Sequence, residues 1–203
     1  MSWLSLVCFL PLIPVFVVSI VSQRAASKTI DRASKTPTGV SSDKILIAFL
    51  NKTKLDSIEV VKSSDYLQNE YVEKEGKIFL SPDTLGSVDA ASIELALYAG
   101  AQADAVRNQG YSSQSIKKLR NAETILFWTS FCLLAFGIMT ASISISIVGY
   151  LVGAIVAVLR AKKRATFKKI GQVAREFVKE CDALDEQSKK LVERVLDAEY
   201  VIR

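Results

Sequence analysis

The chain has 203 residues, with 26 Lys and Arg, 21 Asp and Glu, no histidine, a formal net charge of +5 and half of its residues apolar. Without an imidazole there is no His-Glu-x-x-His zinc site, no Ser-His-Asp triad and no Cys-His dyad, so most hydrolase chemistry is excluded at the outset. The positive charge would suit nucleic acid or an anionic membrane surface, but no charged residue precedes Arg24 and none lies between Glu123 and Arg160, a membrane-protein distribution without the basic, aromatic-interleaved stripe of a nucleic-acid binder.

Trp3 to Val21 is a nearly unbroken apolar run, about the length that crosses a bilayer. It has no basic leader and no small-residue cleavage site, so residues 3–22 are expected to stay as an anchor, kinked at Pro11 and Pro14. Residues 23–123 form a polar block. Gln23 to Pro37 reads as a helical extension and Thr38-Gly39 as a turn. Ser41 or Ser42 can cap a short helix whose apolar face is Ile45, Leu46, Phe49 and Leu50. Ser57 to Val61, Leu67 to Val72 and Lys77 to Leu80 read as strands, with Glu73 to Gly76 turning between the last two. Pro82 is placed for a helix start. Asp89 to Gln109 is an alanine-rich helix closed by Gly110, and Ser112 to Ala122 leads toward the membrane as helix.

Residues 124–159 are uncharged. At about 20 residues per span this run fits a hairpin of two short spans, with its bend in the polar stretch Thr140 to Ser146, or else one tilted helix with a partly inserted segment. Gly149 and Gly153, extended by Ala157, form a small-residue stripe expected to seat a neighbouring helix and to serve as a partner's docking face. Residues 160–203 open with Arg160, Lys162, Lys163, Arg164, Lys168 and Lys169, expected at anionic headgroups. Gln172 to Ile202 then makes one amphipathic helix, or two, along Val173, Phe177, Cys181, Leu184, Leu191, Val195 and Leu196. Basic residues flank the spans on one side only. The expectation is three spans, the N-terminus outside and both polar blocks cytoplasmic. Cys8, Cys132 and Cys181 have no metal or disulfide spacing, and no disulfide-linked partner is expected.

The order of these elements resembles the membrane-bound neutral zinc metallopeptidases of the YugP type. Thr38-Gly39, Leu55 with Ile58 and Val60, Leu67, Tyr71, Leu80-Ser81, Gly110-Tyr111, Lys118-Leu119-Arg120, Glu176-Phe177, Ala183-Leu184 and Val195-Leu196-Asp197-Ala198 carry the likeness over most of residues 38–200. The resemblance implies an α+β membrane protein: a zincin-like cytoplasmic domain of helices and a small sheet, with about three membrane helices. Counting back from Gly110-Tyr111, the family's two zinc histidines fall on Ala99 and Ala103 and its general-base glutamate on Gly100. Only Glu176 is left as an acidic ligand, and one carboxylate does not make a zinc site.

The sequence therefore points to a shortened, ligand-free relative with no catalytic residue, no metal and no cofactor. Its expected role is that of a scaffold or accessory subunit among other membrane protein subunits, touching anionic lipid headgroups and no nucleic acid. Two other readings stand beside it. One is an adaptor that presents substrates to an active membrane protease. The other is a metal-independent hydrolase using carboxylates alone, with Gln102, Asp104 and Glu176 the polar residues expected near the former pocket.

Overall fold

The structure, a computed structural model, describes residues 12–66 and 68–202. The order is α1 (Leu12–Ala33), α2 (Ser42–Lys52), β1 (Glu59–Lys62), β2 (Glu70–Val72), β3 (Lys77–Leu80), α3 (Ala90–Arg107), α4 (Ser113–Met139), α5 (Ile143–Glu180) and α6 (Glu186–Ile202). The fold is mostly helical with one small sheet. It divides into two compact units. One contains residues 12–22 and Gln114–Thr166, and the other Gln23–Ser113 and residues 167–202.

In the larger unit α3 is the central element. Its alanines and glycine give a helix with little bulk, and nearly every residue from Ala90 to Ala105 is buried. Asp89 starts it by accepting from the Ser92 N–H at 2.8 Å and the Ser92 hydroxyl at 2.7 Å, an N-cap that satisfies orphan donors of the first turn. Pro82 does not start a helix. The Thr84 N–H bonds the Ser81 carbonyl at 3.0 Å and Gly86 takes φ +79°, so residues 81–86 coil into turns before the stronger cap is reached. The helix ends at Arg107, and Gly110, at φ +72°, turns the chain so that the Tyr111 N–H reaches the Ala105 carbonyl at 3.0 Å.

α2 packs on α3 through the expected face of Ile45, Leu46, Phe49 and Leu50. Ser41 is its N-cap residue, but its side chain makes no capping bond, and the Ser42 hydroxyl bonds the Thr84 carbonyl instead. The sheet has the order β1-β3-β2, with β2 and β3 antiparallel as the expected hairpin and Gly76 at φ +66° in its turn. β1 begins at Glu59 and pairs parallel with β3, Val60 opposite Ile78. Leu67, expected in β2, lies outside the described residues. Tyr71, Ile78 and Leu80 are buried, and both β2 and β3 contact α3.

The return segment closes this core. α5 does not break after the apolar run, because no proline or glycine interrupts it between Gly153 and Gly171. The chain breaks instead at residues 181–185, so the C-terminal segment is two helices. Phe167, Ile170, Ala174, Phe177 and Val178 of α5 are buried, with Tyr98 stacked on Phe167 at 6.0 Å and Phe49 edge-on to Phe177 at 5.3 Å. α6 buries Val192, Val195, Leu196 and Ala198 and packs on α3. Its apolar stripe is thus used inside the unit.

The smaller unit is a helical hairpin joined by residues 12–22. α4 and α5 meet at a turn of three residues, Thr140 to Ser142, tighter than the expected bend and made by Ala141 at φ +52°. Two described helices, Asn121–Met139 within α4 and Ile143–Glu180, are long and apolar enough to cross a membrane. Only 22% and 17% of their most apolar stretches are buried, unlike a core helix of a soluble protein. The expected anchor, residues 3–22, lies outside the described residues as far as residue 11, and α1 covers the remainder.

Candidate functional site

The helix expected to have carried zinc ligands is α3. Ala99 and Ala103 stand one turn apart on one face and are fully buried. Gly100, also buried, lies against α2. A Cβ there would lie 2.8 Å from Leu46 Cδ1, 2.9 Å from Phe49 Cδ1 and 3.1 Å from Phe49 Cε1. Even a methyl group has no room at this position, so a glutamate side chain is excluded in this packing. The three positions are buried in the core of this unit.

Gln102, Asp104 and Glu176 each have hydrogen-bond partners of their own. Glu176 is exposed and accepts from Gln172 Nε2 at 3.0 Å, one turn earlier on its own helix. Gln102 Oε1 accepts the Tyr71 N–H at 3.3 Å. Tyr71 lies opposite Ile78 in the β2–β3 ladder, yet its N–H is taken by the helix, so Gln102 caps that edge of the sheet. Asp104 accepts from Asn108 Nδ2 and from Gln109 Nε2, both at 2.7 Å, and so stabilises the end of α3. Among the described residues no group of three or more His, Cys, Asp or Glu side chains is placed to hold a metal ion. Cys181 is a free, buried thiol and Cys132 a free, exposed one.

Charge chemistry of another kind sits at the base of the hairpin. Glu123, 5% exposed, receives Arg160 Nε at 2.8 Å and also the Lys163 ammonium. Arg160 lies over the Phe127 ring at 5.7 Å, and Phe127, Trp128 and Phe131 follow edge to face. Of the six basic residues expected at headgroups, Lys163 is therefore buried in an ion cluster and Arg160 is partly engaged there, while Lys162, Arg164, Lys168 and Lys169 remain exposed. Sequence reasoning used Glu123 only as a boundary. The missed signal was an acid at one end of an uncharged hairpin and two bases, one helical turn apart, at the other. Glu94, fully buried in α3, was also passed over.

The small-residue stripe packs within the chain. A Cβ on Gly149 would lie 2.9 Å from Leu134 Cγ and 3.1 Å from the Leu134 backbone nitrogen. One on Gly153 would meet Ser130 Oγ at 3.1 Å, and one on Gly137 would run into Ser146. The Ser130 hydroxyl donates to the Gly149 carbonyl at 2.8 Å. The neighbour that Gly149 and Gly153 seat is α4 of the same hairpin, so the stripe is not free to dock a partner.

No family model, no curated protein and no solved structure matches this chain.

Proposed function

We propose that this protein is a catalytically inactive, metallopeptidase-like membrane protein that works as a scaffold or accessory subunit of a larger membrane complex. One observation carries the reading. The positions expected to hold the chemistry, Ala99, Gly100 and Ala103, are core, and Leu46 and Phe49 occupy the space a residue at 100 would need. A helix kept in register but filled with small apolar residues serves packing and leaves the molecule its surfaces to work with.

In this reading the hairpin and the N-terminal anchor make three spans, and the larger unit stands on the cytoplasmic side. Lys162, Arg164, Lys168 and Lys169 attract anionic headgroups. Because the α6 stripe and the Gly149–Gly153 stripe are both consumed internally, a protein partner meets the polar surface of the larger unit. Purification from native membranes in mild detergent tests the proposal. The expected result is a defined assembly of several chains, and a lone, monodisperse chain overturns it.

A further inference from the structure

The hairpin has two ends of different chemistry and little length between them. From Thr124 to Met139, α4 has no charged residue, and from Ile143 to Leu159 neither does α5. At 1.5 Å per residue these stretches are about 24 and about 26 Å long. Both fall short of an average hydrocarbon core of about 30 Å, and the two helices agree independently.

The base is held at an interface. The ion cluster of Glu123, Arg160 and Lys163 and the nearby Trp128 are groups that favour the headgroup level. The tip has no means of reaching outward. Thr140, Ala141 and Ser142 carry no charge and no long side chain, and the Thr140 hydroxyl is turned back onto the Phe136 carbonyl at 2.8 Å. The last carbonyls of α4 are taken up in the turn, Phe136 by the Thr140 N–H at 2.9 Å, Gly137 by the Ser142 N–H at 2.8 Å and Ile138 by the Ala141 N–H at 3.1 Å, but the first N–H groups of α5 have no partner in their own helix and need water. In a thick bilayer they would be drawn into hydrocarbon, with no lysine or arginine to reach back to the surface.

Resting on the membrane reading above, we propose that the hairpin is built to cross a thin bilayer, with a hydrocarbon core of about 25 Å, and that acyl chains cover its outer faces. Those faces present Ile125, Trp128 and Phe136 on α4 and Leu151, Ile155 and Val158 on α5, all exposed. The residues that would let another helix approach are already spent on the internal seam.

The test uses the full chain carrying Trp3→Phe, which leaves Trp128 as the one tryptophan. The protein is reconstituted in phosphatidylcholine vesicles with cores from about 23 to about 35 Å. Alkali-resistant insertion is read together with quenching of Trp128 by lipids brominated near the top of the acyl chain. The expected result is insertion that peaks near the thin end and falls several-fold at the thick end, with Trp128 quenched wherever the protein is inserted. Insertion that is flat, or that rises with thickness, overturns the proposal. So does an inserted Trp128 that bromine cannot quench, because protein would then cover the face. Failure to insert in any vesicle overturns the membrane reading as well, which separates the two.

Discussion

Gly100 of α3 lies against Phe49 of α2, with the site of a Cβ on the glycine 2.9 Å from the phenylalanine Cδ1 and 2.8 Å from Leu46 Cδ1. Both neighbours are fully buried, so neither ring nor branch has space to retreat into. Gly100→Ala is expected to destabilise the larger unit by about 1–3 kcal/mol, even though alanine is the better helix former. Chemical denaturation in detergent, followed by circular dichroism, measures it. Phe49→Ala alone should cost about 3–5 kcal/mol through the cavity it leaves. The double variant should be more stable than the sum of the two costs allows, because the added methyl then has somewhere to go. A neutral Gly100→Ala would mean that α2 does not pack where it is described.

The same packing governs metal chemistry. The protein purified without chelators is expected to carry no stoichiometric zinc by elemental analysis, and one tightly held zinc per chain would sink the inactive-peptidase reading. Writing Ala99→His, Gly100→Glu and Ala103→His into the chain creates a His-Glu-x-x-His motif on one helical face. It should still yield neither a zinc site nor peptidase activity. The expected outcome is loss of folding, since all three positions are closed core.

The parts of this fold that were legible in the sequence are those that local rules write. The α2 face, the β2–β3 hairpin with Gly76, the alanine-rich α3 and the fold-back of the uncharged run each follow from a period, a turn residue or a length. What pairs over distance was not legible. Nothing in Glu59 to Lys62 says that β1 lies parallel to β3, because register is set by the tertiary face. Helix ends were legible only in part: composition changes from apolar to basic at Arg160, but no proline follows and α5 runs on to Glu180. Gly100 shows the opposite failure. In sequence it is a weak residue in a strong helix, and only the approach of Leu46 and Phe49 gives it a reason.

Within the hairpin the two glycines should not be equivalent. An alanine at Gly149 meets the Leu134 backbone nitrogen at 3.1 Å as well as its Cγ at 2.9 Å, and backbone cannot rotate away. An alanine at Gly153 meets only the Ser130 hydroxyl, at 3.1 Å. Gly149→Ala is therefore expected to cost about 1–3 kcal/mol and Gly153→Ala less than about 1 kcal/mol. Titration with a denaturing detergent, read by fluorescence of Trp128, gives the order. Equal effects would place the close approach elsewhere on the helix.

A small acid sensitivity is expected at the start of α6. The Ser188 hydroxyl and the Ser188 N–H, the latter at 2.8 Å, hold the Asp185 carboxylate below its ordinary 3.8. A group depressed in the folded state lends stability that is complete above its unfolded pKa. That stability is lost as pH falls through 3.8 toward the lower folded value. Because Asp185 is exposed, the effect is confined to this cap. Protection of the first turn of α6, taken relative to intrinsic amide exchange at each pH, should fall below about pH 4 in the native chain, while Asp185→Asn should remove that pH step. A step that persists in the variant would assign it to another carboxylate.

Sidedness can be argued from packing together with charge. Glu75, in the β2–β3 turn, and Gln187, in the first turn of α6, belong to one compact unit in which α6 and the sheet both pack on α3. Cysteines introduced at these exposed positions, in a chain cleared of its native thiols, should react with an impermeant maleimide from the same side. The hairpin must then return to the side it left, so a cysteine at Ala141, exposed in the tip, should react from the opposite side. The basic residues gather at the base of the hairpin and none lies at the tip. On the proposed reading, charge bias leads to the expectation that Glu75 and Gln187 label from the cytoplasmic side and Ala141 from the other. If all three positions label from one side, the hairpin lies on the membrane without crossing it. If Glu75 and Gln187 label from opposite sides, the larger unit is not the single packed body described.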